Sequence, residues 1–590
     1  MSGVWRLSEF IVNTNESESK DRTIAAEYDE LGRMTAYSTA SNESGSLVTR
    51  GFSYAYNPEA GQYTRTGPDG STETFVQVDA NNRASQLRRG PAGSPVMQAD
   101  YTYDITNLLE SVAYLNGATV LHVYDERHRV TEMWHSDDGA STFLLLEYTY
   151  TANNLPETVT ESVAGVGVVS TTTFAYDRRN RLIHEEREAD SGWNSYDLAY
   201  TYDAGGNRLT KVDNIGEIRT EYHYDLEDPA EYGSNNNRLM YFEVYDTSGA
   251  SSTHVSTTWY SYSGDGNPVY IVSGDAGEGA YSAVRLVYAA NGEAVTYVLG
   301  EEWEWDGNPA HCPTGYAITF ARAFRYDAAR ARYLVRSLDV TTSGLMHSPD
   351  PIIASTGDRW TLYDGDDAYR DHTVSGSTDS YGVSYEPGVW NTVGGSANYS
   401  HSDHLGTLRQ TSDSGGEEGT RRVFTAFGER VTGPSTADRF GYVGEYGYQA
   451  HGEFPFLHVG ARYYDPASGR FLQRDPIGVG GGRNVFSYVQ SSPTVRLDPS
   501  GLVDQNWVPS WAEPKYEPAR VRQPIVQSYD EMRHIVRVSK QAQWALKVPG
   551  HIVSWVALFT PIGWGFKAAG VGASTCSFLT DGYDLFFGAQ

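Results

Sequence analysis

Along most of the chain, aromatic and polar residues alternate in short runs that end in a tyrosine, an aspartate and a turn. Clear copies are FAYDRRNRLIHEE (Phe174–Glu186) and AYTYDAGGNRLTKV (Ala199–Val212). Successive side chains of a strand point to opposite faces, so this alternation predicts strands with one packed face. The aspartate and the following Gly or Asn predict a tight turn, because Asp accepts local backbone hydrogen bonds and Gly or Asn tolerates positive φ. Each unit is predicted to be a β-hairpin.

The tyrosine before the turn recurs eleven times, most often at a spacing of 26 residues. The eleven are Tyr28, Tyr56, Tyr103, Tyr124, Tyr150, Tyr176, Tyr202, Tyr224, Tyr262, Tyr288 and Tyr326. A single hairpin cannot bury its aromatic face, so the copies are expected to join edge to edge into a long sheet that spirals or closes. A β-propeller is disfavoured because its blades need four strands in about 40 residues.

Composition and charge support an all-β chain with an acidic body. Aromatic residues make up 13% of the chain, and the 43 Tyr and 60 Gly favour short strands and tight turns. The net charge is -30, yet the residues from Val503 onward carry 8 Lys/Arg and 7 Asp/Glu. The acidic body is expected to repel nucleic acid.

Cysteine use and the first residues bear on compartment and ligands. Cys312 and Cys576 cannot form a disulfide framework, and no Cys/His cluster has zinc spacing, so no metal or cofactor is expected. Met1 to Phe10 lacks the basic and apolar regions of a signal peptide. These residues predict folding in a reducing compartment and export by a non-classical system, and the family resemblance described next implies that the compartment is a bacterial cytoplasm.

The pattern Y-D-x-x-G-R-L resembles the YD repeat of Rhs proteins, of the C components of insecticidal toxin complexes and of teneurins. The segments that follow the repeats carry most of the resemblance, because they match the end of the Rhs core in order. They are YSHSDHLGTLRQTSD (Tyr399–Asp413), FTAFGE (Phe424–Glu429), RFGYVGEYGYQ (Arg439–Gln449) and Gly460–Leu502, which ends in RLDPSGL. The resemblance implies that the hairpins wind into a hollow shell, or part of one.

Four regions follow from the repeats and the resemblance. They are an N-terminal segment (1–27), a YD-repeat β-shell (28–398), an Rhs repeat-associated core with a closing segment (399–502) and a C-terminal passenger (503–590).

Two D-P-x-G motifs, at Asp475 and Asp498, are the main candidate chemistry. Peptide hydrolysis by carboxylates needs two of them close together, one acting as base on a water and the other as acid. Rigid Asp-Pro turns suit that task, and Arg462 is a candidate to orient or polarise one carboxylate. The alternative is that both motifs only form turns at strand ends.

The resemblance implies a definite reaction for these residues. In Rhs proteins D-P-x-G followed by D-P-x-G-L marks an aspartyl-type autoprotease, which cuts after the leucine and frees the passenger inside the shell. Carried over to this chain, the catalytic residues are Arg462, Asp475 and Asp498, and the cut falls between Leu502 and Val503.

A second cluster, His401, Asp403 and His404, has the residue types of a metal or hydrolase site. Side chains this close in sequence do not converge on a strand or turn without a further ligand from elsewhere. A structural turn is therefore the favoured interpretation.

The passenger shows no catalytic pattern. A Pro- and Trp-rich stretch precedes a predicted helix at Ser528–Lys547. Residues 548–566 lack charged side chains but are broken by Pro and Gly, so they predict membrane contact, a buried hairpin or a segment kept unfolded by the shell. His534 and His551 are isolated in sequence.

Two functions remain open from the sequence. The first is an Rhs-type toxin-encapsulating shell that releases its passenger after Leu502, with a B-type partner or a second copy closing the shell and secretion machinery delivering it. The second is a cell-surface adhesion or carbohydrate-binding protein similar to teneurins or wall-associated proteins.

Overall fold

The chain is described by a computed structural model. It covers residues 9–12 and 22–506, with gaps at 32, 44–45, 69, 71, 82, 138–140, 193, 226–235, 276–278, 290–293, 305–313, 327–330, 339–354, 365–366, 376–377, 394–395 and 435–437. Throughout this part the regular structure is β-strand, with three short 3-10 helices. The predicted all-β class is confirmed.

Thirty-eight strands are described. In chain order, β1 to β38 are Glu9–Val12, Arg22–Tyr28, Met34–Glu43, Ser46–Asn57, Gln62–Thr66, Thr72–Val78, Ala84–Pro91, Val96–Tyr103, Leu109–Tyr114, Thr119–Tyr124, Val130–Ser136, Thr142–Tyr150, Pro156–Val163, Gly167–Tyr176, Leu182–Ala189, Tyr196–Tyr202, Arg208–Asp213, Ile218–Tyr224, Leu239–Asp246, Thr253–Tyr262, Pro268–Asp275, Ala280–Tyr288, Val295–Glu304, Thr314–Tyr326, Arg332–Leu338, Ser355–Asp364, Asp367–Ser375, Thr378–Glu386, Trp390–Val393, Ser396–Ser402, Leu408–Asp413, Val423–Phe424, Arg430–Thr432, Leu457–Val459, Arg462–Asp465, Arg470–Phe471, Arg496–Leu497 and Gln505–Asn506. The 3-10 helices are Gly444–Tyr446, Gly478–Gly480 and Val489–Ser491.

Strands β1 to β31 form one continuous sheet, in which each strand pairs antiparallel with the next along the chain. This confirms the long hairpin sheet. Strands β1 and β2 fall largely within the predicted N-terminal segment, and strand β30 crosses the predicted start of the core region at 399.

Where an aspartate follows the repeat tyrosine, its side chain closes the turn. In the hairpin of β14 and β15, Asp177 Oδ1 accepts the backbone N–H groups of Arg179 and Arg181 at 2.8 and 3.0 Å. Asn180 takes the left-handed conformation, with φ of 63°. Arg181 Nε donates to Asp177 Oδ2 at 2.7 Å. The side chain thereby satisfies backbone donors that the turn would otherwise leave unpaired.

The repeat tyrosine ties its hairpin to the preceding one. The hydroxyl of Tyr202 donates to the carbonyl of Leu182, the first residue of the adjacent strand, at 2.7 Å. Among the described residues, eight further repeat tyrosines make the same contact with the first residue of a strand. The pairs are Tyr56 with Met34, Tyr103 with Ala84, Tyr124 with Leu109, Tyr150 with Val130, Tyr176 with Pro156, Tyr224 with Arg208, Tyr262 with Leu239 and Tyr288 with Pro268.

A β-bulge or similar irregularity accompanies this contact, because the strand register shifts immediately before the tyrosine. Shifts are recorded at Tyr28, Tyr103, Tyr124, Tyr150, Tyr176, Tyr202, Tyr224, Tyr262, Tyr288 and Tyr326. A bulge re-aims the side chain that follows it and increases the local twist. The repeated bulges therefore direct the tyrosines and help the sheet to curl.

The turn arginine completes the link between neighbouring hairpins. Besides bonding to Asp177, the guanidinium of Arg181 lies 4.9 Å from the ring centroid of Tyr202 in the next hairpin. A cation over an aromatic face is worth about 0.5–1 kcal/mol at a partly exposed site. Other pairs of this kind are Arg33 over Tyr56, Arg83 over Tyr103, Arg129 over Tyr150 and Arg238 over Tyr262.

The sheet curls far enough for its early strands to contact its late ones. Arg65 on β5 pairs with Asp364 on β26 at 2.5 Å and with Glu386 on β28 at 3.2 Å. Arg89 on β7 reaches the same Glu386 at 3.3 Å. Buried apolar side chains from β6 to β13 pack with Trp390 of β29 in one cluster.

The closing segment, which we define as residues 422–502, packs against the buried face of this curl. Its aromatic residues share a core with strands β18 to β25. Polar contacts fix its position, because Arg332 donates to the hydroxyl of Tyr463 at 2.9 Å and Arg439 pairs with Asp371 at 2.6 Å. The sheet thus acts as the support on which the closing segment is held.

Tyr103 and Tyr101 on strand β8 provide a matched test of the hairpin link. The Tyr103 hydroxyl donates to the Ala84 carbonyl at 2.8 Å, whereas the buried hydroxyl of Tyr101 has no hydrogen-bond partner among the described residues. We expect Tyr103→Phe to lower the free energy of unfolding by about 1 kcal/mol. Tyr101→Phe should leave it unchanged or raise it slightly. Denaturant unfolding midpoints measure both, and equal losses would contradict the assigned role of the link.

Candidate self-cleavage site

Both candidate aspartates open turns of the same kind as the repeat turns. Asp475 Oδ1 accepts the N–H of Ile477 at 2.9 Å, and Gly478 has φ of 61°. Asp498 Oδ1 accepts the N–H of Leu502 at 3.0 Å, and Gly501 has φ of 63°. Glycine adopts this left-handed conformation at little cost. The turn chemistry inferred from the two motifs is therefore present.

Arg462 at the start of strand β35 brings the two aspartates together. Its Nη2 lies 3.3 Å from Asp475 Oδ2 and 3.3 Å from Asp498 Oδ2. The three residues are buried, with at most 6% of each exposed. Arg462 is held in turn by the Gly501 carbonyl, which accepts from Nε at 2.5 Å, and by the ring of Phe471, whose centroid is 3.6 Å away. The three residues proposed from the sequence thus share one buried site.

The peptide bond between Leu502 and Val503 lies close to both carboxylates. At its nitrogen, the N–H of Val503 donates to Asp498 Oδ1 at 3.2 Å. At its carbonyl, Asp475 Oδ2 and the Leu502 oxygen lie 2.3 and 2.5 Å from a single point, the place where a Cβ on Gly481 would sit. One carboxylate therefore faces the nitrogen of this bond and the other faces its carbonyl.

The charges of the site do not cancel if both aspartates are ionised, because one cation would then face two anions. Burial raises the pKa of Asp498, although Arg462 and the N–H groups of Leu502 and Val503 oppose the shift. Burial also lowers the pKa of Arg462, although the charges of both carboxylates oppose this shift. Burial therefore favours a protonated carboxyl on Asp498 relative to a free aspartate.

This electrostatic setting separates Asp498 from the repeat aspartates. Partial burial opposes ionisation of Asp177 too, but hydrogen bonds from Arg181 and from the Arg179 N–H outweigh it and lower the pKa of Asp177. The Asp177 side chain also remains 22% exposed, against 3% for Asp498. Asp177 and Asp498 form the same turn, but of these two only the buried Asp498 favours a protonated carboxyl.

Three contributors to the site were not among the residues proposed from the sequence. Ser500 donates its hydroxyl to Asp498 Oδ1 at 3.0 Å, and the Tyr448 hydroxyl accepts the Asp498 N–H at 2.9 Å. Gly481 lies against both Asp475 and Leu502. The D-P-S-G-L motif contains Ser500, but the roles of Tyr448 and Gly481 depend on contacts across tens of residues.

The chain immediately after Leu502 is also held. Strand β38 (Gln505–Asn506) pairs antiparallel with strand β37 (Arg496–Leu497). Asp504 Oδ2 accepts from Arg496 Nη1 at 2.5 Å and from Gln490 Nε2 at 3.0 Å. Both sides of the Leu502–Val503 bond are therefore fixed to the closing segment.

The histidine cluster does not gather around one point. His401 is fully buried, and its Nε2 contacts Ser412 Oγ at 2.9 Å. The His404 ring packs against Tyr148 with centroids 4.7 Å apart. Asp403 Oδ1 accepts the N–H of Leu405 at 3.0 Å. The aspartate therefore serves a turn, while each histidine serves a different neighbour.

A group of metal-ligand type lies elsewhere, on strands β18 and β19. Ligand atoms of Glu221, His223 and Glu243 lie within 4.8 Å of one another, and all three residues are half-buried. His223 is already engaged, since Nε2 lies 3.3 Å from Glu243 and its ring stacks on Tyr241. We assign this group no part in the candidate site.

Parts of the chain are similar to known proteins. No protein-family model matches the chain. It is 38% identical to the toxin protein Tse5 of Pseudomonas aeruginosa over 108 residues, which are 18% of this chain and 8% of Tse5. It is 54% identical to the probable deoxyribonuclease RhsB of Dickeya dadantii over 41 residues, 7% of this chain and 3% of that protein. A crystal structure of TcdB2-TccC3-TEV aligns over 84% of this chain and 25% of its own, with 15% identity and a TM-score of 0.47.

The named relatives confirm the predicted resemblance to Rhs/YD-repeat toxins. The match spans less than a tenth of either curated relative. Residues 507–590, which include the predicted helix and the segment 548–566, lie outside the described residues. Within the described part, no helix is long and apolar enough to cross a membrane.

Removing the guanidinium should make stability depend on pH. Arg462→Met leaves two buried carboxylates without a cation, so we expect a loss of about 3–5 kcal/mol at neutral pH. An aspartate with a raised folded-state pKa costs stability as pH rises from its unfolded value of 3.8 through its folded value. Arg462 opposes the rise in the pKa of Asp498, so without it the pH range over which stability is lost extends upward. The loss of stability in Arg462→Met should therefore be smaller in mildly acidic buffer.

Denaturant unfolding at neutral and at mildly acidic pH measures this difference. Arg496→Met is the matched control, because Arg496 is 30% exposed and its pairing with Asp504 should contribute about 1 kcal/mol or less. An equal loss for Arg462→Met at both pH values would contradict the electrostatic role given to Arg462.

Proposed function

We propose that this chain is an Rhs-type toxin-encapsulating shell that cuts itself between Leu502 and Val503 and so releases its C-terminal segment for delivery into target cells. The observation that supports the cut is the closeness of the Leu502–Val503 bond to the carboxylates of both Asp475 and Asp498. The named toxin relatives support the wider role.

In the proposed reaction Asp475 is the base and Asp498 is the acid. The Asp475 carboxylate takes a proton from a water, and the water oxygen bonds to the carbonyl carbon of Leu502. The protonated Asp498 gives its proton to the nitrogen of Val503 as the carbon–nitrogen bond breaks. One water is consumed, and the products are a carboxyl group on Leu502 and an amine on Val503.

Other groups hold the reactants in line. Arg462 pairs with both carboxylates and fixes the Gly501 carbonyl, next to the reacting residue. Solvent can approach from the far side, since Val503 is 36% exposed. Holding the water, the carboxylates and the peptide bond in this geometry lowers the activation barrier far more than an isolated carboxyl in solution would.

The rest of the proposal concerns the cargo and its release. The curled sheet encloses the segment 503–590, and a B-type partner or a second copy of the chain closes the shell. Secretion machinery then carries the cleaved complex to its target. The short ladder of β37 and β38, together with Asp504, supports retention of the cut segment until the shell opens.

Asp475→Asn should abolish the cut. The amide cannot act as the base, so we expect cleavage to fall by about 100-fold or more. Denaturing electrophoresis and intact mass then give one full-length species, where the wild type gives two fragments and the smaller one begins at Val503. Asp177→Asn is the control, because it changes an aspartate in a repeat turn and should leave cleavage intact. Full cleavage of Asp475→Asn would contradict the catalytic role of Asp475 and would indicate that the motif only forms a turn.

Retention of the cut segment is tested separately. The two wild-type fragments should elute together in native size-exclusion chromatography and separate only after denaturation. Elution of the small fragment by itself under native conditions would contradict encapsulation, without bearing on the cut.

A further inference from the structure

We propose that Gly481 is a positioning residue for the cut, because its missing side chain keeps open the gap between Asp475 and the Leu502 carbonyl. The inference rests on the proposed self-cleavage. It assigns a role to the glycine-rich stretch after Ile477, which the motif itself does not explain.

The space beside Gly481 is occupied on two sides. A Cβ at this position would lie 2.3 Å from Asp475 Oδ2 and 2.5 Å from the Leu502 carbonyl oxygen, closer than the 3.0 Å that real Cβ atoms respect. One of the two groups would have to move. These are the groups that, in the proposed reaction, must face each other across a water.

Neither neighbour can yield freely. The Asp475 carboxylate is fixed by the N–H of Ile477 at 2.9 Å and by Arg462 at 3.3 Å. Leu502 is held through its own N–H, which donates to Asp498 Oδ1 at 3.0 Å. A methyl group at Gly481 would therefore displace the base, the reacting carbonyl or both.

Backbone conformation does not explain a glycine at this position. Gly481 has φ of -84° and ψ of -13°, which is right-handed and open to alanine. Gly478 and Gly482, by contrast, have positive φ of 61° and 151°. A defect in Gly481→Ala would thus come from the contact with the site and not from strain in the turn.

Gly480 provides a matched control in the same loop. A Cβ there would meet only side-chain atoms of Ile477, at 3.8–3.9 Å, which is ordinary contact. Gly480→Ala and Gly481→Ala are the same chemical change one residue apart. The two variants differ in whether the added methyl meets the reacting groups.

The experiment follows cleavage of the full-length chain in timed cell-free synthesis. We expect the wild type and Gly480→Ala to cleave at similar rates and Gly481→Ala to cleave about 100-fold more slowly, the cost of a misplacement near 1 Å. In the uncleaved Asp475→Asn background, adding Gly481→Ala should leave the melting temperature nearly unchanged. The residual cleavage of Gly481→Ala should also show a shifted pH profile, because the methyl moves Asp475 relative to Arg462.

Three results would overturn the inference. Cleavage of Gly481→Ala at the wild-type rate would show that the gap is not needed. Slow cleavage with a much lower melting temperature and an unchanged pH profile would indicate a structural role only. An uncut wild type would defeat the proposed function and this inference with it, whereas a cut wild type with an uncut Asp475→Asn keeps the proposed function whatever Gly481→Ala does.

Discussion

Through much of the sheet, a hairpin is bound to its predecessor by the hydroxyl of one tyrosine, and the rest of the structure depends on that contact. The tyrosine follows an irregularity in the strand register, donates to the first carbonyl of the adjacent strand and lies beneath the arginine of the preceding turn. Because the register shift, the tyrosine hydrogen bond and the arginine contact all lie within neighbouring hairpins, the sheet can be extended by repeating the unit. Its curvature accumulates from the repeated bulges.

The closing segment covers part of the buried face of the curled sheet. Arg332 of the sheet binds Tyr463 of the segment, and Arg439 of the segment binds Asp371 of the sheet. The D-P-x-G turns reuse the turn of the repeats in a buried setting. Burial changes what the turn does to a carboxyl. On the surface the turn stabilises an ionised aspartate, whereas around Asp498 it leaves one that holds its proton more tightly.

The features that could be predicted from the sequence are those set by residues close together in the chain. The alternation of Tyr-x-Tyr and the Asp-x-x-Gly turn are short-range signals, so the all-β class and the hairpin sheet followed from them. Strands outside the clear repeats, such as β1, carry no such signal. The three site residues came from a family resemblance, and their proximity depends on a fold that brings Arg462 and Asp498 together across 36 positions. Gly481 and Tyr448 act through contacts of that kind, so no local pattern marks them.

The central claim is that water, activated by two carboxylates, cuts the chain after Leu502. Cell-free synthesis in water enriched in oxygen-18, followed by mass spectrometry of peptides around the junction, tests it most directly. The account predicts a peptide that ends at Leu502 and carries one heavy oxygen in its new carboxyl group. An intact peptide that spans Leu502 and Val503, or a terminus at another residue, would contradict it.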